Sequence, residues 1–162
     1  MMRSMARWLT SLAVGVMVMI PLAAPADDAS DLPAGPIRDR HWLMEDMGDQ
    51  AENINDAFDL GSEGFDTEVI QRAAGAIAMN AHRIPGMFPK GSTDPKSRAL
   101  PAIWDNWDKF TGLAKQLEDQ AFKLSQAAGA EDDEFLKDKS QKLGATCKSC
   151  HEQFRKPSDK KK

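Results

Sequence analysis

The chain has 162 residues, 41% of them hydrophobic, and its 21 Lys and Arg against 25 Asp and Glu give a formal net charge of −4. That length allows one domain, or one domain plus a removable segment. The acidic balance argues against nucleic acid as a partner.

The chain opens with "MMRSMARWLTSLAVGVMVMIPLAAPADDAS". Arg3 and Arg7 make a positive start, Leu9 to Ile20 an apolar run, and Ala24-Pro25-Ala26 a small-residue cleavage site. This is the pattern of a secretory signal peptide over residues 1–26, with an apolar run too short for a membrane span. Export to a bacterial periplasm is the expectation, with no membrane attachment after cleavage. Removing Arg3 and Arg7 makes the mature chain more acidic still. Residues 27–35 read as an N-terminal extension.

Four helical segments follow. Segment A runs from about Pro36 to Leu60, and its Ile37, Arg40, Met44, Met47, Ala51, Ile54 and Phe58 step by three and four along one face, with Gly61 as the stop. Segment B starts near Asp66, a good N-cap, and carries Val69, Ile70, Ala73, Ile77, Ala81 and Ile84 until Pro85 ends it. The stretch "PGMFPKGSTDPKSRALP" is too rich in Pro, Gly and Ser to be regular. Segment C starts with Pro101 at the first helical position and is expected to bury Ile103, Trp107, Phe110, Ala114, Leu117, Ala121 and Leu124 before Gly129 closes it. Segment D has an acidic first turn from Glu131 to Glu134, which suits the helix dipole, and continues through Phe135, Leu136, Leu143 and Phe154 to stop before Pro157.

No segment alternates with period two, so the chain is all-α. Three short connections and one longer one suit an antiparallel, up-down-up-down four-helix bundle over residues 36–156. Residues 157–162 form a basic, frayed tail.

Segment D contains "CKSCHEQFR", with both cysteines of the chain and a histidine directly after the second. On a helix, positions 147, 150 and 151 are i, i+3 and i+4, so two sulfurs and an imidazole share one side. A disulfide there would close a minimal loop and stabilise little. Zinc needs three or four ligands, and His41 and His82 are far away in sequence. A thiol oxidoreductase places this motif on a βαβ fold, which an all-α chain lacks. Covalent haem attachment needs two thiols for the vinyl groups and an adjacent histidine for the iron, and it agrees with export.

Arg40 interrupts the apolar stripe of segment A. A lone arginine there would ordinarily snorkel to solvent at the end of the bundle. With haem in the bundle, a buried propionate becomes its partner. Met44 and Met47 follow on the same face; methionine on such a stripe is usually core filling, but either could face the iron opposite His151.

The chain resembles the class II cytochromes c, the cytochrome c′ group, through "CKSCHEQFR", "RHWLMEDMG" in the first helix and "MFPKGS…SRALPAIWDNWDKF" in the middle. The resemblance implies a left-handed four-helix bundle with one haem c, in the periplasm and often as a homodimer. It implies that Cys147 and Cys150 hold the haem covalently and that His151 is the proximal ligand of the iron. Arg40 falls at an arginine near a propionate, Met44 at the distal position, and Arg155 at a basic residue near the proximal face. Many members carry glutamine where this chain has His41, and neither His41 nor His82 is assigned a ligand role. Low-spin members bind a helix A methionine and shuttle electrons. High-spin members are five-coordinate and bind nitric oxide or carbon monoxide. The expectation is a non-enzymatic electron carrier serving a redox partner protein, with His151 and Met44 on the iron; the alternative is the gas-binding, five-coordinate form.

Overall fold

The structure, a computed structural model, describes residues 31–59, 65–130 and 132–157. The signal peptide, the Gly61 stop, Glu131 and the tail beyond Pro157 lie outside the described residues. Five α-helices account for most of what is described: α1 (Pro36–Phe58), α2 (Thr67–Arg83), the short α3 (Ala102–Asp105), α4 (Trp107–Ala127) and α5 (Asp133–Phe154). Their four long members form an antiparallel bundle in which α1 packs on α2, α2 on α4 and α4 on α5. Among the described residues no helix is long and apolar enough to cross a membrane.

Helix boundaries follow local chemistry. Gly35 takes φ 100°, a conformation open mainly to glycine, and hands the chain to Pro36 at the start of α1. Asp66 caps α2 by accepting a hydrogen bond from the Val69 amide at 3.0 Å, and Asp132 caps α5 through the Phe135 amide at 2.8 Å. Asp133 and Glu134 then place negative charge at the positive end of α5.

The α2–α4 pair forms the backbone of the bundle. Ala73, Ala74, Ala78 and Ala81 keep the α2 face low, so α4 approaches closely. A Cβ added at Gly75 would sit 3.4 Å from Ser125 Oγ, which itself donates to the Gln71 carbonyl at 2.9 Å. The largest fully buried side chains are Ile54, Ile70, Ile77, Ile103, Leu124 and Leu136, each stabilising by roughly 1.5–3 kcal/mol relative to exposure. Asn80 of α2 donates across to the Asp46 carboxylate of α1 and ties those helices together.

Segment C departs from expectation. A single helix from Pro101 is predicted, yet the chain breaks at Asn106, where φ −128° and ψ 48° are not helical. Pro101 caps α3 instead of occupying its first turn. Trp104 is anchored elsewhere: its indole N–H donates to the carbonyls of Phe88 at 3.1 Å and Pro89 at 3.2 Å. The break resets the helical phase, so Trp107 is 37% exposed instead of buried. α2 likewise stops at Arg83 and continues as a 3₁₀ turn over Ile84–Met87.

The connection between that turn and α3 is fastened to the end of α5. The Leu100 amide donates to the Phe154 carbonyl at 2.9 Å and the Lys156 amide to the Arg98 carbonyl at 2.7 Å, with Ala99 and Arg155 paired as an isolated β-bridge. α1 and α5, by contrast, meet only lightly. A cleft opens between them.

Candidate functional site

The cleft is a cavity of about 700 Å³, within the roughly 300–1,000 Å³ of pockets that take cofactor-sized molecules. α1 contributes Arg40, Met44 and Gly48 to it, and α5 contributes Cys150, His151 and Phe154. Ile103 and the Phe88–Phe110 pair, whose rings meet edge to face at 4.9 Å, close its inner wall. A smaller hollow of about 410 Å³ lies beside it, between Asp31–Pro33 and Asp94–Lys96, and is lined by no thiol, imidazole or aromatic ring.

Cys147 and Cys150 are free, half-buried thiols packed against the core. Burial raises both pKa values, and the neighbouring Cys147 adds to the rise at Cys150, which reaches about 11. Both are therefore S–H groups at neutral pH. Cys150 lines the cavity, while Cys147 stands one turn back. His151 opens onto the cavity mouth, and its pKa is lowered by burial first, then by the guanidinium groups of Arg155 and Arg98. The result is an imidazole held neutral, the form that can ligate a metal.

Arg40 is 4% exposed and does not snorkel. Its guanidinium donates to Ser92 and Ser97 and lies 4.8 Å from the centre of the Phe88 ring. Burial lowers its pKa, and among the described residues no carboxylate pairs with it. A buried cation without a counter-charge is costly, and this one also lines the cavity.

The two methionines separate. Met44 is half-buried and lines the cavity; Met47 is 8% exposed, belongs to the core and does not line it. Arg155 lies on the cavity wall just past α5. His41, given no role from its sequence position, also lines the cavity. His82 does not: it is exposed on α2, 3.4 Å from Glu118.

The sequence reading missed Ser92, which receives Arg40, the lining residues Ser97 and Arg98 in the same connection without periodicity, and three carboxylates on the α1 lip, Glu45, Asp49 and Glu52. Gly48 was a usable signal. Glycine inside a helix costs about 1 kcal/mol relative to alanine, and here it leaves open space, since an added Cβ would meet nothing within 4 Å.

The sequence pattern of one protein family, described as Cytochrome C′, matches residues 35–155. The chain belongs to the cytochrome c′ family. It is 34% identical over 122 residues to a cytochrome c-556 of Agrobacterium tumefaciens (strain II Chrys), spanning 75% of this chain and 98% of that protein. A cytochrome c-554 of Cereibacter sphaeroides is 36% identical over 149 residues, covering 85% of this chain and 90% of its own length. Among solved structures, cytochrome c′ from Rhodopseudomonas palustris superposes with a TM-score of 0.68 at 30% identity, over 78% of this chain and 100% of that one.

Cytochromes of this family carry covalently bound haem c, and the residues here fit that group. The cavity has the volume, Cys150 and a neutral His151 line its wall with Cys147 one turn back, and Arg40, which no carboxylate pairs among the described residues, offers a positive charge to an anionic substituent.

Proposed function

We propose that the protein is a periplasmic monohaem cytochrome that carries electrons between redox partner proteins. The observation that carries this reading is the Cys147–Cys150–His151 turn, whose Cys150 and His151 line a cavity that α1 lines with Met44 and with Arg40, a cation that no carboxylate pairs among the described residues. Bound there, haem c would supply an iron that exchanges one electron.

In this reading the chain's own residues hold, orient and insulate. Cys147 and Cys150 would hold the group by thioether bonds. His151, kept neutral by burial and by the guanidinium groups of Arg155 and Arg98, would be the proximal iron ligand, and Met44 the ligand on the other side. A thioether in that position raises the potential. Arg40 would compensate a propionate. Phe88, Ile103, Phe110 and Phe154 exclude water from the inner wall. Association as a homodimer is part of the same reading, and sedimentation of the holo protein checks it.

One observation favours a second reading. Gly48, one turn beyond Met44, leaves free space against the cavity, the room a diatomic ligand needs at a five-coordinate iron. The visible spectrum of the exported protein decides between them. Resolved α and β bands support the six-coordinate electron carrier; a single broad band refutes it in favour of the gas-binding form.

A further inference from the structure

Among the described residues, Arg40 is oriented entirely by neutral acceptors. Nη1 donates to Ser92 Oγ at 2.9 Å, and Nη2 donates to the Ser92 carbonyl at 2.9 Å and to Ser97 Oγ at 2.7 Å. Those bonds use three of the five guanidinium N–H groups. The Nε–H and one N–H on Nη1 take no partner among the described residues. Among the described residues no fully buried side-chain nitrogen lacks a partner, so Nε is not fully buried, and Arg40 lines the cavity.

Ser97 does more than accept that bond. It is 6% exposed, and its hydroxyl also accepts from the Ala99 amide at 3.3 Å. Its carbonyl accepts from Lys156 Nζ at 2.8 Å, and Arg98 donates to the Lys156 carbonyl at 3.0 Å. One residue therefore joins the cation of α1 to the segment that follows His151. Across a cleft whose two walls touch only lightly, this linkage sets where Arg40 stands relative to the imidazole.

The choice of partner matters electrostatically. An aspartate at either serine would hold the guanidinium as well, but it would cancel the charge. Hydroxyl and carbonyl oxygens fix its direction and leave the full positive charge for an anion. A long arginine stem without such anchors reaches for solvent.

We propose that Ser97, assisted by Ser92, is a positioning residue that aims an uncompensated Arg40 at a carboxylate of the cofactor. This rests on the assignment of Arg40 to a propionate made above. The test uses the full-length holo protein and reads the midpoint potential across the neutral pH range, together with the melting temperature. Arg40→Leu shifts the potential or its pH dependence. Ser97→Ala moves it in the same direction by at least half as much, Ser97→Thr restores the wild-type profile, and Ser97→Ala adds nothing in the Arg40→Leu background. Ser92→Ala, at a half-exposed position, gives a smaller shift of the same sign and keeps the test open should Ser97→Ala fail to fold. A Ser97→Ala protein that melts lower but keeps the wild-type potential and pH profile, while Arg40→Leu shifts them, overturns the positioning role and leaves Arg40 assigned. An Arg40→Leu protein with the wild-type profile overturns both.

Discussion

Replacing Met44 and Met47 one at a time by alanine separates ligation from packing. Met47 is 8% exposed and sits in the core beside Leu43 and Ile54, so truncation leaves a cavity and costs about 2–5 kcal/mol. For a domain of this size each kcal/mol moves the melting temperature by roughly 3–5 °C, so Met47→Ala should melt roughly 6–25 °C lower. Its visible spectrum should remain that of the parent. Met44 is only half-buried and faces the cleft, so the packing lost in the chain itself is smaller, about 1 kcal/mol on an area basis. What Met44→Ala should change is the spectrum, from resolved α and β bands to a single broad band, with a lower midpoint potential and new binding of carbon monoxide. Paired absorption spectra and thermal melts of both holo variants measure this. A switch of spectrum in Met47→Ala alone would place the ligand one turn further along α1. A parent protein already showing the broad band would refute methionine ligation altogether.

Replacing Cys147 and Cys150 together by serine should abolish covalent attachment; haem that still survives acid–acetone extraction would contradict the assignment. The haem-free chain should melt well below the holo protein, because Phe88, Phe110, Ile103 and Phe154 then face an empty cleft instead of a packed one, and equal melting temperatures would count against the cavity as the haem site. Asp132→Ala removes the cap on the Phe135 amide and should cost about 1 kcal/mol. Its spectrum should be unaltered, and a spectral change would mean that the start of α5 is coupled to its far end.

What this amino-acid sequence determined alone is whatever depends on near neighbours along the chain. The spacing of Cys147, Cys150 and His151 needs only one turn of helix to put them together. The stripes from Ile54 to Phe58, from Ile70 to Ile84 and from Phe110 to Leu124 specify which faces go inward, and Asp66 caps its helix through an amide three residues away. The tertiary structure decided what depends on partners distant in sequence. Trp104 reaches back to the Phe88 and Pro89 carbonyls, and with that contact comes the break at Asn106 that turns Trp107 outward. Arg40 is held because Ser92 and Ser97, more than fifty residues on, receive its guanidinium; from its own helix it reads as a residue that escapes to water unless a haem propionate pairs with it. Met44 and Met47 lie on one stripe in the sequence, and only the light contact between α1 and α5 opens a cleft in front of the first and leaves the second in the core. Periodicity sets the face of a helix, whereas the gap between two helices depends on the side chains of both and on the connection that fastens their ends.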